Sequence, residues 1–548
     1  MSEPKNKLYY GDNLDVLRRY VPDESVDLVY LDPPFNSRQD YNVLFAEKDS
    51  SKSSSQIRAF KDTWEWNIDA ERAYKETVEQ GGRVAQSLIA FRTFLGCTDM
   101  LAYLAMMAPR LVELRRVMKE TASIYLHCDP TASHYLKILM DAVFGPQCFL
   151  TEIIWKRSGA HSDFKQGRKQ HGRIHDVILF YSKGLEWKWI PQFTSYDQGY
   201  VDKSYRHVEP GTGRRYRLDN LTGPGGEAKG NPSYEVMGVT RNWRYSKENM
   251  EKLIAEGRII QTKPGRVPAF KRYFDEMDGV SLQDIWTDIG PIGAQAQERL
   301  GYPTQKPEAL LERILLSSSE KGDVVLDPFC GCGTTVQVAQ KLKRKWIGID
   351  ITHLAISLIK QRLSDSFGPE VKKSYAVIGE PKDFAGAAVL AAEDKYQFQW
   401  WALGLVGARP AEQKKGADHG IDGKIYFHDD NSGVSKQIIF SVKAGKIGVS
   451  QVRDLVGVLA NENAEIGVFI CLEEPTKPML STAASASFYT SSDGTQYPRV
   501  QILTIDQILK GTQPKYPLHR ADATFKKAPR ARASTRQSNL LPFINAGD

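Results

Sequence analysis

A glycine-rich segment is the first feature of the sequence that could do chemistry. Residues 327–335, DPFCGCGTT, follow an apolar stretch and precede a helix-like one. Glycines at alternate positions let the backbone approach a ligand closely, and the following helix presents free amide groups. Asp350, nineteen residues past Gly331, ends the next apolar stretch, where a carboxylate can accept both hydroxyls of a ribose. This spacing predicts an adenosine-type cofactor site, with an ordinary strand-to-helix turn as the alternative.

A second feature, Asp32-Pro33-Pro34-Phe35, follows the apolar stretch VDLVYL. It therefore lies at the carboxyl end of a predicted strand, where open α/β sheets bind ligands. Two prolines give a rigid path without amide donors, so carbonyls there are free to accept, and Asp32 adds a further acceptor. Phe35 offers a stacking face. Together these groups suit a planar ring with an exocyclic NH2, although Asp-Pro-Pro alone is as often only a stiff turn.

Strand-like and helix-like stretches alternate around both features, which predicts an α/β fold. We expect one α/β domain over residues 1–365, with a loosely patterned lobe at 185–300. An Ala-, Gly- and Lys-rich segment, 366–394, is predicted to be a linker to a second, smaller α/β domain at 395–512. The basic tail, 513–548, is poor in apolar residues and is predicted to be disordered.

Composition excludes several classes of protein. Hydrophobic residues at 41% and charged residues at 25% of the 548 are ordinary globular values. No apolar run reaches the roughly 20 residues that a bilayer requires, and six cysteines without a CxxC pair favour a reducing cytoplasm. A P-loop is also absent from the sequence. Residues 520–548 contribute +4 of the net charge of +7, so charge is compatible with nucleic-acid binding but does not establish it.

The two features together resemble the DNA amino methyltransferases that use S-adenosylmethionine, whose motifs are (D/N/S)PP(Y/F/W) and FxGxG. The match extends to Gly11-Asp12-Asn13 and to the segment YPTQKP at 302–307. Their order is similar to that of the circularly permuted β group, in which the target-recognition region lies between the catalytic and cofactor motifs. The resemblance covers about residues 7–365. It implies a circularly permuted, Rossmann-like sheet with the recognition lobe inserted at 185–300.

The resemblance also implies a role for each matching residue. The Asp32 carboxylate and the Pro33 carbonyl would accept hydrogen bonds from the target amine, and Phe35 would stack on a base rotated out of the duplex. Asp350 would hold the ribose, Asp12 would face the adenine ring, and Thr304 and Lys306 would lie near the methionine end. The full set implied to bind the cofactor is Asp12, Thr304, Lys306, Asp327, Phe329, Gly331, Gly333, Thr334 and Asp350.

The target base is predicted from the first residue of the catalytic motif. Within the β group, aspartate there resembles N6-adenine enzymes, whereas serine is commoner among N4-cytosine enzymes. Both bases present an NH2 beside a ring nitrogen, so N4-cytosine stays an alternative. Methylation at cytosine C5 would need a Pro-Cys pair, which the sequence lacks. The main prediction is a site-specific N6-adenine DNA methyltransferase, and a protein that only binds DNA is a further alternative.

Five basic residues in the lobe are candidate DNA contacts. They lie beside Tyr205 and Tyr216, a mixture that suits phosphates and base edges, although a run of charge is often only a solvated face. The candidates are Lys203, Arg206, Arg214, Arg215 and Arg217. Double-stranded DNA is the expected partner and no membrane is expected, while a second copy of the chain is a further candidate partner.

The smaller domain carries a third set of residues. Asp422 and Lys443 are predicted on neighbouring strands, where they could hold Mg²⁺ and stabilise charge on an attacking water. They resemble the Mrr-like branch of the PD-(D/E)xK restriction endonucleases. Ser441 stands where that branch usually has Glu or Gln, and a hydroxyl is the weaker metal ligand. Three readings follow: a bifunctional restriction-modification protein with a Mg²⁺-dependent nuclease, a DNA-binding unit, or a structural unit.

Overall fold

The computed structural model describes residues 6–34, 66–159, 169, 171–293, 296–300, 302, 304–411, 421–427, 429 and 436–517, with the backbone of 540–541. They belong to two compact units. The first unit comprises Met1–Ile190, Asp284–Thr535 and Ala546–Asp548, and the second comprises Pro191–Gln283 and Arg536–Asn545. In the described part of the chain, no helix combines the length and apolarity needed to cross a membrane.

Helices and strands alternate along the first unit up to residue 190: β1 (Asn6–Tyr10), α1 (Asn13–Tyr20), β2 (Val26–Leu31), α2 (Ile68–Glu79), α3 (Gly82–Leu95), α4 (Asp99–Val117), β3 (Met118–Cys128), α5 (Ser133–Phe144), β4 (Phe149–Lys156) and β5 (His175–Ser182). Short strands dominate the second unit up to residue 283: β6 (Phe193–Thr194), α6 (Gln198–Ser204), β7 (His207–Val208), β8 (Arg215–Asn220), β9 (Ser233–Val236), β10 (Val239–Asn242), α7 (Lys247–Ala255), β11 (Ile259–Ile260), β12 (Ala269–Tyr273) and β13 (Val280–Ser281).

The chain then returns to the first unit and forms β14 (Ile285–Trp286), α8 (Glu308–Ser318), β15 (Val324–Asp327), α9 (Thr334–Lys341), β16 (Lys345–Asp350), α10 (His353–Phe367) and β17 (Tyr375–Ile378). Residues 384–517, here called the nuclease-like part, contain α11 (Phe384–Glu393), α12 (Lys395–Leu405), β18 (Arg409–Pro410), β19 (Gly423–Phe427), β20 (Lys436–Lys443), α13 (Val449–Asn461), β21 (Ile466–Cys471), α14 (Lys477–Ser485), β22 (Phe488–Thr490), β23 (Gln496–Pro498), β24 (Val500–Thr504) and α15 (Ile505–Leu509). A last strand, β25 (Leu540–Leu541), pairs with β6 in the second unit.

One large mixed sheet organises the first unit, with the strand order β14-β4-β5-β3-β2-β15-β16-β1-β17. The six strands from β3 to β17 in this order are parallel, and β5 runs antiparallel to both β3 and β4. β2 pairs with β15, so that Leu28 lies opposite Val325 and Val29 opposite Leu326. The predicted α/β class and Rossmann-like, circularly permuted sheet are confirmed.

Helices cover both faces of this sheet, as buried parallel strands require. On one face, Val29 and Leu31 of β2 and Leu126 of β3 share a core with α1 to α5. On the other face, the Tyr125 hydroxyl contacts Ser318 Oγ of α8 at 2.7 Å. Alternate residues of each strand therefore serve opposite cores.

Hydrogen bonds offset the cost of burying the Asp27 carboxylate inside the large sheet. Asp27 lies in β2, where a lone carboxylate would be costly. Lys119 Nζ donates to both of its oxygens at 2.8 Å, and the Val324 amide donates to Oδ2 at 2.9 Å. These bonds tie β2 to β3 and to the start of β15.

The second unit has its own small core. Its largest sheet is antiparallel in the order β11-β12-β8-β7, and Leu221, Trp243, Met250 and Phe270 pack beside it. The helix α7 begins directly after Ser246, whose hydroxyl accepts from the Asn249 amide as an N-cap.

The nuclease-like part is a five-stranded sheet in the order β18-β19-β20-β21-β24. Ile438 and Phe440 of β20 pack with α11 and α12, whereas Ile439 packs with α13 and α14, so helices lie on both faces. The neighbouring strands predicted for Asp422 and Lys443 are present as β19, which Asp422 directly precedes, and β20, which ends at Lys443.

Residues 366–394, expected to be a linker, are instead structured. They contain β17, which pairs in parallel with β1 at the edge of the large sheet, and most of them beyond Asp383 form α11. The four-residue stretch YAVI is too short for its pattern to distinguish a strand from a loop. The tail from 518, apart from the backbone of 540–541, lies outside the described residues, so its predicted disorder stays a prediction.

We predict that Leu139→Ala lowers the free energy of unfolding by about 2–5 kcal/mol, because Leu139 of α5 is fully buried. Ile138→Ala on the same helix is the control, since Ile138 is 50% exposed, and it should cost about 1 kcal/mol or less. Urea unfolding followed by circular dichroism measures both. Equal losses for the two variants would contradict this packing.

Candidate functional site

A cavity of about 280 Å³ lies where β1, β2, β15 and β16 end. Eleven of the predicted site residues line it: Asp12, Asp32, Pro33, Pro34, Thr304, Lys306, Asp327, Phe329, Gly331, Thr334 and Asp350. Gly333 is the N-cap of α9, one residue from this lining. Phe35 lies outside the described residues. Two sequence features some three hundred residues apart therefore meet in one cavity, at the point where the large sheet passes from β2 to β15.

The glycine-rich loop is shaped by left-handed backbone at both of its glycines. Gly331 has φ +48° and Gly333 has φ +76°. A Cβ on Gly333 would lie 2.7 Å from Ile359 Cγ1, and one on Gly331 would lie 3.3 Å from the Tyr302 ring. Neither position tolerates a larger side chain without strain. The loop thus passes tightly between α10 and the Tyr302 ring.

Asp350 holds this loop from the end of β16. Its Oδ2 accepts from the Gly331 amide at 2.9 Å, and its Oδ1 accepts from the amide and hydroxyl of Thr352, also at 2.9 Å. Burial raises the pKa of Asp350 to about 6, although these hydrogen bonds oppose the increase. A ligand that donates hydrogen bonds to this carboxylate would favour its ionised form.

Asp327 is a second buried carboxylate in the cavity wall. Its Oδ1 accepts from the Phe329 amide at 3.1 Å. Burial raises the pKa of Asp327 to about 7, and the nearby Asp32 and Asp350 add to the increase. The wall therefore favours a ligand with positive charge or several hydrogen-bond donors.

Lys306 contacts the predicted catalytic residue directly. Its ammonium donates to Asp32 Oδ2 at 2.5 Å, and both side chains are largely buried. The sequence placed Lys306 near one end of the cofactor and did not predict this pair. The contact joins the segment ahead of α8 to the end of β2 and fixes the direction of the Asp32 carboxylate.

Asp12 is held in place by α1 and α4. Its Oδ1 caps α1 by accepting from the Leu14 amide at 2.8 Å, and its Oδ2 accepts from Arg110 at 2.7 Å. Arg110 also donates to Asn13 Oδ1 at 2.6 Å, and Asn13 donates to the Pro328 carbonyl at 2.9 Å. Sequence reasoning missed Arg110, yet a single arginine inside the apolar run LAYLAMMAPRLV is a usable signal.

A buried polar chain runs behind Asp32. The hydroxyl of Tyr30, which lines the cavity, contacts His127 Nδ1 at 3.0 Å, and His127 Nε2 contacts Asp176 Oδ2 at 3.1 Å. Burial raises the pKa of Asp176, but His127, Lys306 and Arg157 outweigh it and leave the pKa below its usual range. Sequence reasoning missed Tyr30, although it precedes Asp32 by two residues on a strand and so shares its face.

The predicted DNA contacts of the second unit divide into two groups. Lys203 and Arg206 are exposed. The other three are paired with carboxylates of the same unit: Arg214 with Asp275 and Glu276, Arg215 with Asp202, and Arg217 with Asp219. The positive charge available to a ligand is therefore smaller than the sequence suggests.

Both oxygens of Asp422 in the nuclease-like part accept hydrogen bonds from the protein. Oδ1 accepts from Gln399 Nε2 at 2.6 Å, and Oδ2 accepts from the Val442 amide at 2.6 Å and faces Lys443 Nζ at 3.5 Å. Ser441 is buried beside them. Among the residues that the structure describes, which omit 412–420, no group of three His, Cys, Asp or Glu side chains could hold a metal ion.

Comparisons with known families agree with both resemblances predicted from the motifs. Residues 26–361 match the profile of a family described as DNA methylase. Residues 395–510 match the profile of a family described as NACHT-associated inactive restriction endonuclease 1. The first match covers more than half of the chain, and the second coincides with most of the nuclease-like part.

Two curated relatives share the larger region. The type II methyltransferase M.EcaI of Enterobacter cloacae is 26% identical over 369 residues, which are 67% of this chain and 71% of that protein. The StyLTI Mod subunit of Salmonella typhimurium, a type III restriction-modification enzyme, is 28% identical over 355 residues, which are 62% of this chain but only 50% of that subunit.

The solved structure of the PvuII DNA methyltransferase, which is cytosine-N4-specific, is 14% identical. It aligns with 65% of this chain and 87% of its own, with a TM-score of 0.29.

We predict that Gly333→Ala destabilises the first unit more than Gly322→Ala does. Both glycines have positive φ, but a Cβ on Gly322 would meet nothing within 4 Å, whereas one on Gly333 would clash with Ile359. Backbone strain should cost each variant about 1–2 kcal/mol, and overpacking should add about 1–3 kcal/mol at Gly333 alone. Thermal unfolding measures the difference, and equal midpoints would contradict the tight loop.

Proposed function

Because this chain belongs to the DNA methylase family whose profile residues 26–361 match, we propose that it transfers a methyl group from S-adenosylmethionine to the exocyclic N6 of adenine in DNA. The single observation that carries this proposal is the meeting of Asp32-Pro33-Pro34 with the glycine-rich loop in one cavity. Direct transfer requires the methyl donor and the acceptor amine to be aligned within one enclosed site. The type II methyltransferase M.EcaI and the Mod subunit of the StyLTI restriction-modification enzyme support DNA methyl transfer, and neither of them points to one of the two target bases.

The cofactor would be held by the walls described above. Asp350 would accept hydrogen bonds from the ribose hydroxyls, and the loop at Gly331 would follow the chain of the cofactor. Asp327 would face its ammonium group, since a cation stabilises the ionised form of a buried carboxylate. When bound, S-adenosylmethionine supplies a methyl group that is already activated by the sulfonium. The protein then has mainly to bind, orient and exclude water.

The acceptor amine would be held at the end of β2. The Asp32 carboxylate and the Pro33 carbonyl would each accept a hydrogen bond from the NH2 group. The nitrogen lone pair would then be directed at the methyl group. Lys306 keeps the Asp32 carboxylate oriented through the contact at 2.5 Å. Methylation places a positive charge on the nitrogen, and Asp32 would accept the proton that leaves it. Phe35 would stack on the flipped base.

The choice of N6-adenine over N4-cytosine depends on Asp32 standing first in the motif. The same acceptors could bind either base, so N4-cytosine is the second candidate. Digestion of DNA methylated by the protein, followed by mass spectrometry of the nucleosides, distinguishes N6-methyladenosine from N4-methylcytidine. Recovery of only the cytosine product would contradict the first candidate.

Double-stranded DNA is proposed to bind the second unit. Lys203 and Arg206 are better candidates for phosphate contacts than the three arginines already paired with carboxylates. Each phosphate contact makes DNA affinity fall with salt.

We infer that the nuclease-like part does not cleave DNA. Asp422 is engaged by Gln399 and Val442, Ser441 replaces the usual second ligand, and the matching family is described as inactive. Incubation of unmethylated plasmid with the protein and Mg²⁺ should leave it intact. Cutting that disappears in Lys443→Ala would instead favour the bifunctional reading.

We predict that Asp32→Ala lowers the rate of methyl transfer by at least about a thousandfold, since the amine loses its main acceptor. Transfer of a labelled methyl group to DNA measures the rate. Asp69→Ala is the control, because its carboxylate is 74% exposed, and it should retain the wild-type rate. A near-normal rate in Asp32→Ala would show that the catalytic motif is wrongly assigned.

We predict that cofactor affinity falls as pH decreases through about 7 and then about 6, where first Asp327 and then Asp350 become protonated and bind the cofactor less well. Because the pKa of Asp350 is raised in the folded protein, folding stability falls as pH rises toward about 6, and bound cofactor offsets that loss. Calorimetric titration of S-adenosylmethionine between pH 5 and 8 measures the effect. Asp350→Asn should bind more weakly and lose the dependence centred near 6. If Asp350→Asn kept the pH dependence near 6, a group other than Asp350 would be responsible for that dependence.

A further inference from the structure

We propose, on the basis of the function proposed above, that the nuclease-like part shapes the cofactor pocket, with Trp400 as the positioning residue. Trp400 belongs to α12, yet it is not part of the core beneath that helix. Its neighbours Phe398 and Trp401 pack into the core of the nuclease-like part. Trp400 instead packs against Tyr302, Cys332 and Leu354.

The residues that Trp400 covers are walls of the cavity. Tyr302 and Cys332 both line it. The Tyr302 ring lies close enough to Gly331 to be 3.3 Å from a Cβ built there. Trp400 is 6% exposed and Tyr302 is 8% exposed, so the contact is buried. Removing the indole would leave a space behind the ring that confines the glycine-rich loop.

A second contact joins α12 to the helix that begins at the ribose-binding end of β16. Gln397 Oε1 accepts from the His353 amide at 3.2 Å, at the first residue of α10. The two helices approach closely at Gly404, where a Cβ would lie 2.4 Å from Ser357 Oγ. His353 in turn stacks on Tyr10, with ring centroids 3.6 Å apart, directly ahead of Gly11. α12 therefore packs directly beside the glycine-rich loop and reaches the Gly11 side of the predicted cofactor site through His353.

Gln399 lies between Gln397 and Trp400 on α12, and its contact with Asp422 gives that carboxylate a structural role. Gln399 donates to Asp422 Oδ1 at 2.6 Å, and the Val442 amide holds the other oxygen. Asp422, directly ahead of β19, thus links α12 to β20. In this arrangement Asp422 orients the helix that presents Trp400 to Tyr302 and Gln397 to α10.

The variant that tests the proposal is Trp400→Ala in the full chain. We expect the Kd of S-adenosylmethionine, measured by calorimetry, to rise about tenfold, within the range typical of coupling between sites. The KM for the cofactor should rise similarly, while kcat at saturating cofactor stays close to wild type. Trp400→Phe should restore most of the affinity. Phe488→Ala is the matched control, because Phe488 is a 57% exposed aromatic of the same part.

A measurement on the wild-type protein covers the case in which Trp400→Ala does not fold. Coupling is reciprocal, so saturating S-adenosylmethionine should slow hydrogen exchange of the amides of residues 395–405. Unchanged exchange there, or an unchanged Kd in folded Trp400→Ala, would overturn the proposal. If the wild-type protein binds no S-adenosylmethionine at all, the proposed function fails instead.

Discussion

The parallel pairing of β2 with β15 is the constraint on which the site depends. The two strands come from distant parts of the chain, and their hydrogen-bonded register sets Asp32 and Asp327 at neighbouring strand ends. Parallel strands can meet in this way only through long crossover connections, which here include residues 191–283 of the second unit. Asp27, bonded to Lys119 and to the Val324 amide, reinforces this pairing from inside the sheet. The backbone register of β2 and β15 therefore brings the two parts of the site together.

Electrostatic balance is the second constraint. Asp32, Asp327 and Asp350 face one cavity, and such a concentration of carboxylates is costly unless each is compensated. Lys306 compensates Asp32, whereas Asp350 relies on backbone and hydroxyl donors. Burial raises the pKa values of Asp327 and Asp350. These two carboxylates therefore favour a ligand that has hydrogen-bond donors and positive charge.

Local pattern was sufficient to predict the α/β class, the glycine-rich turn after β15 and the strand β2, because each is encoded by contiguous residues, whereas the circularly permuted sheet was predicted from the family resemblance. Contacts between distant segments were not predictable in the same way. The apolar run around Arg110 marks it as a buried arginine, but neither that run nor the residues around Lys306 identify Asp12 and Asp32 as the partners, since these pairs arise from packing of separate elements. For the arginines of the second unit, the sequence overestimates the charge available to DNA. Arg214 pairs with Asp275 and Glu276, which lie some sixty residues away in the chain.

The strand β17 has a consequence for how the polypeptide can be divided. It supplies the outermost pairing partner of β1, and only five residues separate its end from the start of α11. A truncation before Tyr375, chosen to isolate the methylase part, would strip β1 of that partner and leave an open strand edge. Such edges recruit other chains, so the shortened product would be prone to aggregation.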